Sequence, residues 1–146
     1  VKTLVIGIGN PLAGDDAAGQ AVAQGLDGMP GITVWLRHQL TPELAEDVAA
    51  ADRVVFVDAG RGGALTVCRL RVDEPLQADG PLTHATGPET VVALAHRLYG
   101  RRPRAYLVTL PGASFRLGAG LSASAQRLIR HQTPLATLAP NTACVL

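Results

Sequence analysis

Aromatic residues are scarce in this chain, at 3% of 146 positions. Its core must therefore be aliphatic, and a 47% hydrophobic composition rich in Ala, Val and Leu can supply one. Cysteine is scarcer still: Cys68 and Cys144 only, neither in a CxxC or Cys/His spacing. The thiolate metal motifs are thereby excluded, and both residues read as ordinary reduced thiols. A net charge of +1 gives no support for nucleic acid or an anionic membrane as partner. The short basic run Arg101, Arg102, Arg104 reads as a solvated loop. No apolar stretch reaches the ~20 residues needed to span a membrane. Val1 to Ile6 leads straight into a folded-looking motif, so no signal peptide is expected and the cytoplasm is the expected compartment.

What is present fits one domain over residues 1–146, long enough to bury roughly 70% of the surface of its unfolded chain. Strand and helix patterns alternate, which indicates an α/β layered fold. Thr3–Gly7 is a β-branched apolar run of the kind found in buried parallel strands. Asp15–Leu26 is Ala-rich and reads as a helix closed by Gly28. Ile32–Leu36 reads as a second strand, followed by a helix from Thr41-Pro42 to about Ala51. Arg53–Val57 reads as a third buried strand ending at Asp58. Leu65–Val72 alternates in polarity like an edge strand. Its link to the third strand is too short for a parallel crossover, so it should run antiparallel. Thr86-Gly87-Pro88-Glu89 resembles a capping box for a helix ending near Gly100. Arg104–Leu110 reads as the last strand, and Ser122 as the cap of a final helix that Pro134 ends or kinks.

The densest chemical signal is Gly7-Ile8-Gly9-Asn10-Pro11-Leu12-Ala13-Gly14-Asp15-Asp16, where the first strand hands over to the first helix. A dinucleotide loop would occupy the same place, but the third glycine of GxGxxG falls on Leu12. Asp15 and Asp16 would also repel a phosphate at that helix end. No Gly-Lys-Ser/Thr is present, so a P-loop is excluded. Two readings of the acidic pair stay open: helix capping with dipole neutralisation, or a cation site that relieves their mutual repulsion. Asp58 has two as well. It either makes an Asx-type turn into Gly60 or lies at the ligand-binding carboxyl edge of a parallel sheet. If the first strand lies between the second and third, Asp16 and Asp58 face one crevice.

Of four histidines, His96 and His131 read as surface or packing residues inside helices. His38 follows the second strand and could line the crevice; His84 precedes a helix, either as an exposed loop residue or as a ligand. Two carboxylates and one imidazole, with open positions, suit a borderline divalent ion such as Ni²⁺ or Zn²⁺. No Ser-His-Asp, Cys-His or HExxH pattern is present, and Ser114, Ser122 and Ser124 lie in no nucleophile elbow.

The opening GIGNPLAGDDAAG resembles the N-terminal signature of the hydrogenase maturation endopeptidases, with Gly7, Gly9, Asn10, Asp15, Asp16 and Gly19 at the matching places. The segment Pro111-Gly112-Ala113-Ser114-Phe115, then Gly118 and Gly120-Leu121-Ser122, is similar to the family's stretch before its last helix. One departure is Arg37-His38-Gln39-Leu40-Thr41-Pro42-Glu43, where many members carry Asp-Gly-Gly-Thr.

The resemblance implies that Asp16, Asp58 and His84 form the metal-binding and catalytic set. It implies a three-layer α/β/α sandwich of the phosphorylase/hydrolase-like type, on a mixed five-stranded sheet with one antiparallel strand. The implied activity is removal of a C-terminal extension from a nickel–iron hydrogenase large-subunit precursor. The nickel belongs to that substrate, and the free enzyme need hold no metal. Other readings remain: a generic metal-dependent peptidase holding its own zinc, a non-enzymatic nickel-delivery or assembly chaperone, and a nucleotide-binding module.

Overall fold

The computed structural model describes residues 1–71 and 86–130. It contains β1 (Thr3–Ile8), a 3-10 turn (Gly14–Ala17), α1 (Ala18–Gln24), β2 (Ile32–Arg37), α2 (Leu44–Ala50), β3 (Arg53–Arg61), β4 (Thr66–Leu70), α3 (Pro88–Tyr99), β5 (Arg104–Gly112) and α4 (Ala123–Arg130). The strands form a five-stranded sheet in the order β2-β1-β3-β5-β4. β2, β1, β3 and β5 are parallel, and β4 runs antiparallel beside β5.

Every residue of β1 is buried, as its apolar run requires of a strand covered on both faces. One face packs Leu4, Ile6, Val54 and Phe56 against Leu44 and Val48 of α2 and Val91 and Ala95 of α3. The other packs Val5, Val55, Val57 and Val108 against Ala18, Val22 and Ala23 of α1, with Leu128 and Ile129 of α4 alongside. The result is the expected three-layer sandwich with one antiparallel strand. Each fully buried large aliphatic or Phe side chain contributes roughly 1.5–3 kcal/mol of burial free energy.

The element boundaries differ from the sequence reading in instructive ways. The first helix divides into a 3-10 turn and α1, because the Asp16 N–H bonds back to the Ala13 carbonyl, three residues away. α1 ends at Gln24 with Gly25 as its cap, before Gly28. α2 begins at Leu44, since Thr41 and Pro42 spend their carbonyls on a turn to Leu44 and Ala45. β3 continues past Asp58 to Arg61 because Gly60 and Arg61 keep pairing with Pro111 and Gly112 of β5. α3 is capped by Gly87 without a side-chain bond, so no Thr86–Glu89 capping box forms; Pro88 supplies the favourable first position. Its left-handed Gly100 closes the helix as expected, donating to the His96 carbonyl.

Cys68 is buried and disulfide-bonded, which corrects the expectation of a reduced thiol at that position. Cys144, His84, His131 and Pro134 lie outside the described residues. Among the described residues no helix is long and apolar enough to cross a membrane.

Candidate active site

Strand β1 lies between β2 and β3, so the chain changes direction there and opens a crevice at the carboxyl edge. α1 seats closely over this crevice. A side chain at Gly19 would meet the carbonyl oxygens of Val57 at 2.5 Å and Ile8 at 2.7 Å, so only glycine permits the approach. Gln20, next along the helix, donates its side-chain amide to the carbonyls of Gly9 (2.8 Å) and Arg37 (3.1 Å). It thereby ties α1 to the ends of both β1 and β2. The sequence reading missed Gln20, whose only local signal is its place after the motif's Gly19.

Asp16 stands in the 3-10 turn. Its Oδ2 accepts the Asn10 N–H at 2.7 Å, while Asn10 Oδ1 accepts the Leu12 N–H at 2.9 Å. Gly9 makes this folding-back possible. Its φ of +147° suits glycine, and a Cβ there would collide with the Asp16 carbonyl oxygen. Asp58 is half-buried within β3, and its Oδ1 accepts the Ala59 N–H at 2.8 Å. Burial pushes its carboxyl above the usual range, the Ala59 bond opposes this, and the charge of Asp16 pushes it further up. Asp16 and Asp58 are thus electrostatic neighbours across the crevice.

Asp15 has a different role from its neighbour. It is fully buried, and four donors surround its carboxylate: the N–H groups of Ala113 (2.7 Å), Ser114 (3.2 Å) and Ser122 (2.7 Å), and the Ser122 hydroxyl (2.8 Å). Burial opposes its charge, but the four bonds outweigh burial and hold its pKa below the usual carboxylate value. Ser122 in turn caps α4 through Oγ to the Ala125 N–H (3.2 Å), as its sequence position suggested. Asp15 therefore binds the first turn to the segment between β5 and α4.

His38 is exposed just beyond β2, and His84 lies outside the described residues. Among the described residues, no group of three His, Cys, Asp or Glu side chains is assembled that could hold a metal. What is assembled is a pair of carboxylates, each with one oxygen held by a backbone N–H. Their other oxygens have no hydrogen-bond partner among the described residues. Such oriented, half-engaged carboxylates fit an incomplete oxygen shell for a divalent ion.

No protein-family model matches the chain, and no curated protein matches it by sequence. Solved structures do match. The [NiFe] hydrogenase maturation protease HycI of Thermococcus kodakarensis KOD1 is 28% identical, with 88% of each chain covered and a TM-score of 0.61. The hydrogenase 2 maturation peptidase of Thaumarchaeota archaeon SCGC_AB-539-E09 is 25% identical, covering 93% of this chain and 96% of its own, with a TM-score of 0.65. This chain is similar to the hydrogenase maturation endopeptidases over most of its length, and it is a peptidase. The endopeptidase HybD of E. coli shares the fold at 20% identity and a TM-score of 0.61, covering 89% of this chain and 86% of its own.

Proposed function

We propose that this endopeptidase removes the C-terminal extension of a nickel-loaded hydrogenase large-subunit precursor in the cytoplasm, recognising the substrate's nickel through Asp16, Asp58 and His84. The observation that carries the reading is the carboxylate pair at the switch point. Asp16 and Asp58 each keep one oxygen fixed by the backbone, and each has a second oxygen with no partner among the described residues. His84 would complete the set from outside the described residues.

The nickel arrives with the substrate, so the enzyme's task is to present unengaged oxygens to an ion that already has other ligands. In peptide hydrolysis a water oxygen bonds to the scissile carbonyl carbon, the C–N bond breaks, and the water's proton passes to the leaving amine. Asp58, its basicity raised by burial and by Asp16, suits the taking and return of that proton.

The test compares nickel-free and nickel-loaded precursor at equal enzyme, weighing the products by mass spectrometry. Only the loaded precursor should lose mass. Equal trimming of both would remove metal recognition and favour a generic peptidase. An unchanged mass with stable complex formation would favour an assembly chaperone.

A further inference from the structure

Two leucines stand exposed at the rim of the crevice, and the fold has no use for either side chain. Leu12, in the turn between β1 and Asp16, is 70% exposed; Leu117, in the segment after β5, is 72% exposed. β1, β3 and β5 are parallel, so both turns leave the same carboxyl edge of the sheet. The Gly118 N–H donates to the Leu12 carbonyl at 2.8 Å, which sets the two turns side by side. The other large apolar side chains exposed among the described residues are Val1, Met29, Leu98 and Tyr99. These belong to the opposite, amino edge: before β1, before β2, and at the end of α3 ahead of β5.

One exposed leucine is ordinary; two on adjoining turns beside a candidate active site call for a reason. The structural work there falls to the backbone. The Leu12 N–H donates to Asn10 Oδ1 at 2.9 Å, and the Leu12 carbonyl accepts from Gly118. Gly118, at φ +76°, makes the turn that follows Leu117. Serine in place of either leucine would keep those bonds. The turns are also firmly held. Asn10 donates its N–H to Asp16 Oδ2 at 2.7 Å, so one residue joins Leu12 to the Asp16 carboxylate. The Asp15 carboxylate accepts from Ala113 and Ser114 before Leu117 and from Ser122 after it. Apolar side chains presented on a fixed backbone lose little freedom on binding, which favours association. Because they project from turns, their complement is an apolar hollow in a folded partner.

We propose that Leu12 and Leu117 dock the folded precursor by seating in an apolar hollow beside its cleaved segment, an inference that rests on the function proposed above. A protein whose ion reaches Asp16 must lie against the turn that carries Leu12. The leucines therefore bind substrate and take no part in the chemistry. A Leu12→Ser, Leu117→Ser variant should raise KM for nickel-loaded precursor about tenfold or more, with kcat within about twofold of wild type. Leu98→Ser, at the amino edge, should leave both within about twofold. Should the double variant fail to fold by circular dichroism, Leu117→Ser alone replaces it, with KM raised about threefold or more. A folded variant with the wild-type KM overturns the proposal. So does a wild type that sediments as a dimer which the double substitution breaks without moving KM, since the leucines would then serve a second copy. A wild type that leaves the precursor uncut would sink the function proposed above instead. Calorimetric titration of the same precursor against wild type and double variant then decides the docking surface: weaker binding by the variant supports it, and equal affinity overturns it.

Discussion

The Asp15 carboxylate accepts both the backbone amide and the hydroxyl of Ser122, at 2.7 and 2.8 Å, across 107 residues of chain. The Asp15 N–H also donates to the Ser114 carbonyl at 2.7 Å, and the Gly118 N–H to the Leu12 carbonyl at 2.8 Å. The turn that carries Asp16 is thus held from outside by the segment after β5. Asp15 is a positioning residue, and Asp16 beside it is the one presented to the crevice.

Replacing Asp15 with Asn keeps the shape but removes the acceptor capacity that four donors require. The expected destabilisation is roughly 2–4 kcal/mol at neutral pH, measured by urea denaturation. The pH dependence has a definite sign. The folded pKa is depressed, so the stabilisation is fully present above the unfolded aspartate value of about 3.9. It is lost as pH falls through the lower folded value. The gap between wild type and Asp15→Asn should therefore be widest near neutrality and shrink below about pH 4. A constant gap down to the acid limit would show that Asp15 is not held as a charged group.

Gly9→Ala should damage both stability and activity. The residue sits at φ +147°, and the added methyl runs into the Asp16 backbone carbonyl rather than a flexible side-chain end. Backbone strain and the clash together should cost roughly 2–4 kcal/mol. Precursor cleavage, measured at a temperature where the variant is folded, should fall as well, because the Asp16 turn must move. Full activity in a destabilised variant would separate the turn from the chemistry.

Gln20→Leu should cost about 1–2 kcal/mol, since it leaves the Gly9 and Arg37 carbonyls without the amide that joins them. Denaturation midpoints would measure this. Hydrogen exchange should quicken at the Gly9 amide, which donates to the Arg37 carbonyl. No change at that amide would mean that the β1–β2 ends are held without Gln20.

Much of this architecture is legible in the sequence, and the reasons are local. The runs around Val5, Val55 and Val108 are apolar and β-branched because a parallel strand is covered on both faces. The direction of β4 follows from the length of its link to β3, and the place of Asp58 at the ligand edge follows from strand order. The rest depends on pairings between distant segments. β3 outlasts Asp58 only because β5 is beside it. Asp15 and Asp16 are chemically identical neighbours, and only Ala113, Ser114 and Ser122 tell them apart. His84 remains an expectation from resemblance, outside the described residues.

Asp16→Asn distinguishes an acid that serves the fold from one that serves the site. The Asp16 Oδ2 accepts the Asn10 N–H, and an amide oxygen can accept that same bond. The substitution also removes a like charge from beside Asp58, where that charge raises the Asp58 pKa. Stability should therefore hold within about 0.5 kcal/mol or rise, and the Asp58 titration followed by NMR should move down towards its ordinary value. Cleavage of nickel-loaded precursor should collapse, because a neutral amide oxygen is a weaker ligand for a divalent ion than a carboxylate. Asp16→Glu, which keeps the charge on a longer stem, should retain measurable cleavage. The measurements are a denaturation midpoint, an Asp58 titration curve and a cleavage rate for each variant. An Asp16→Asn protein that is less stable yet cleaves at the wild-type rate would return Asp16 to a helix-end role and remove it from the site.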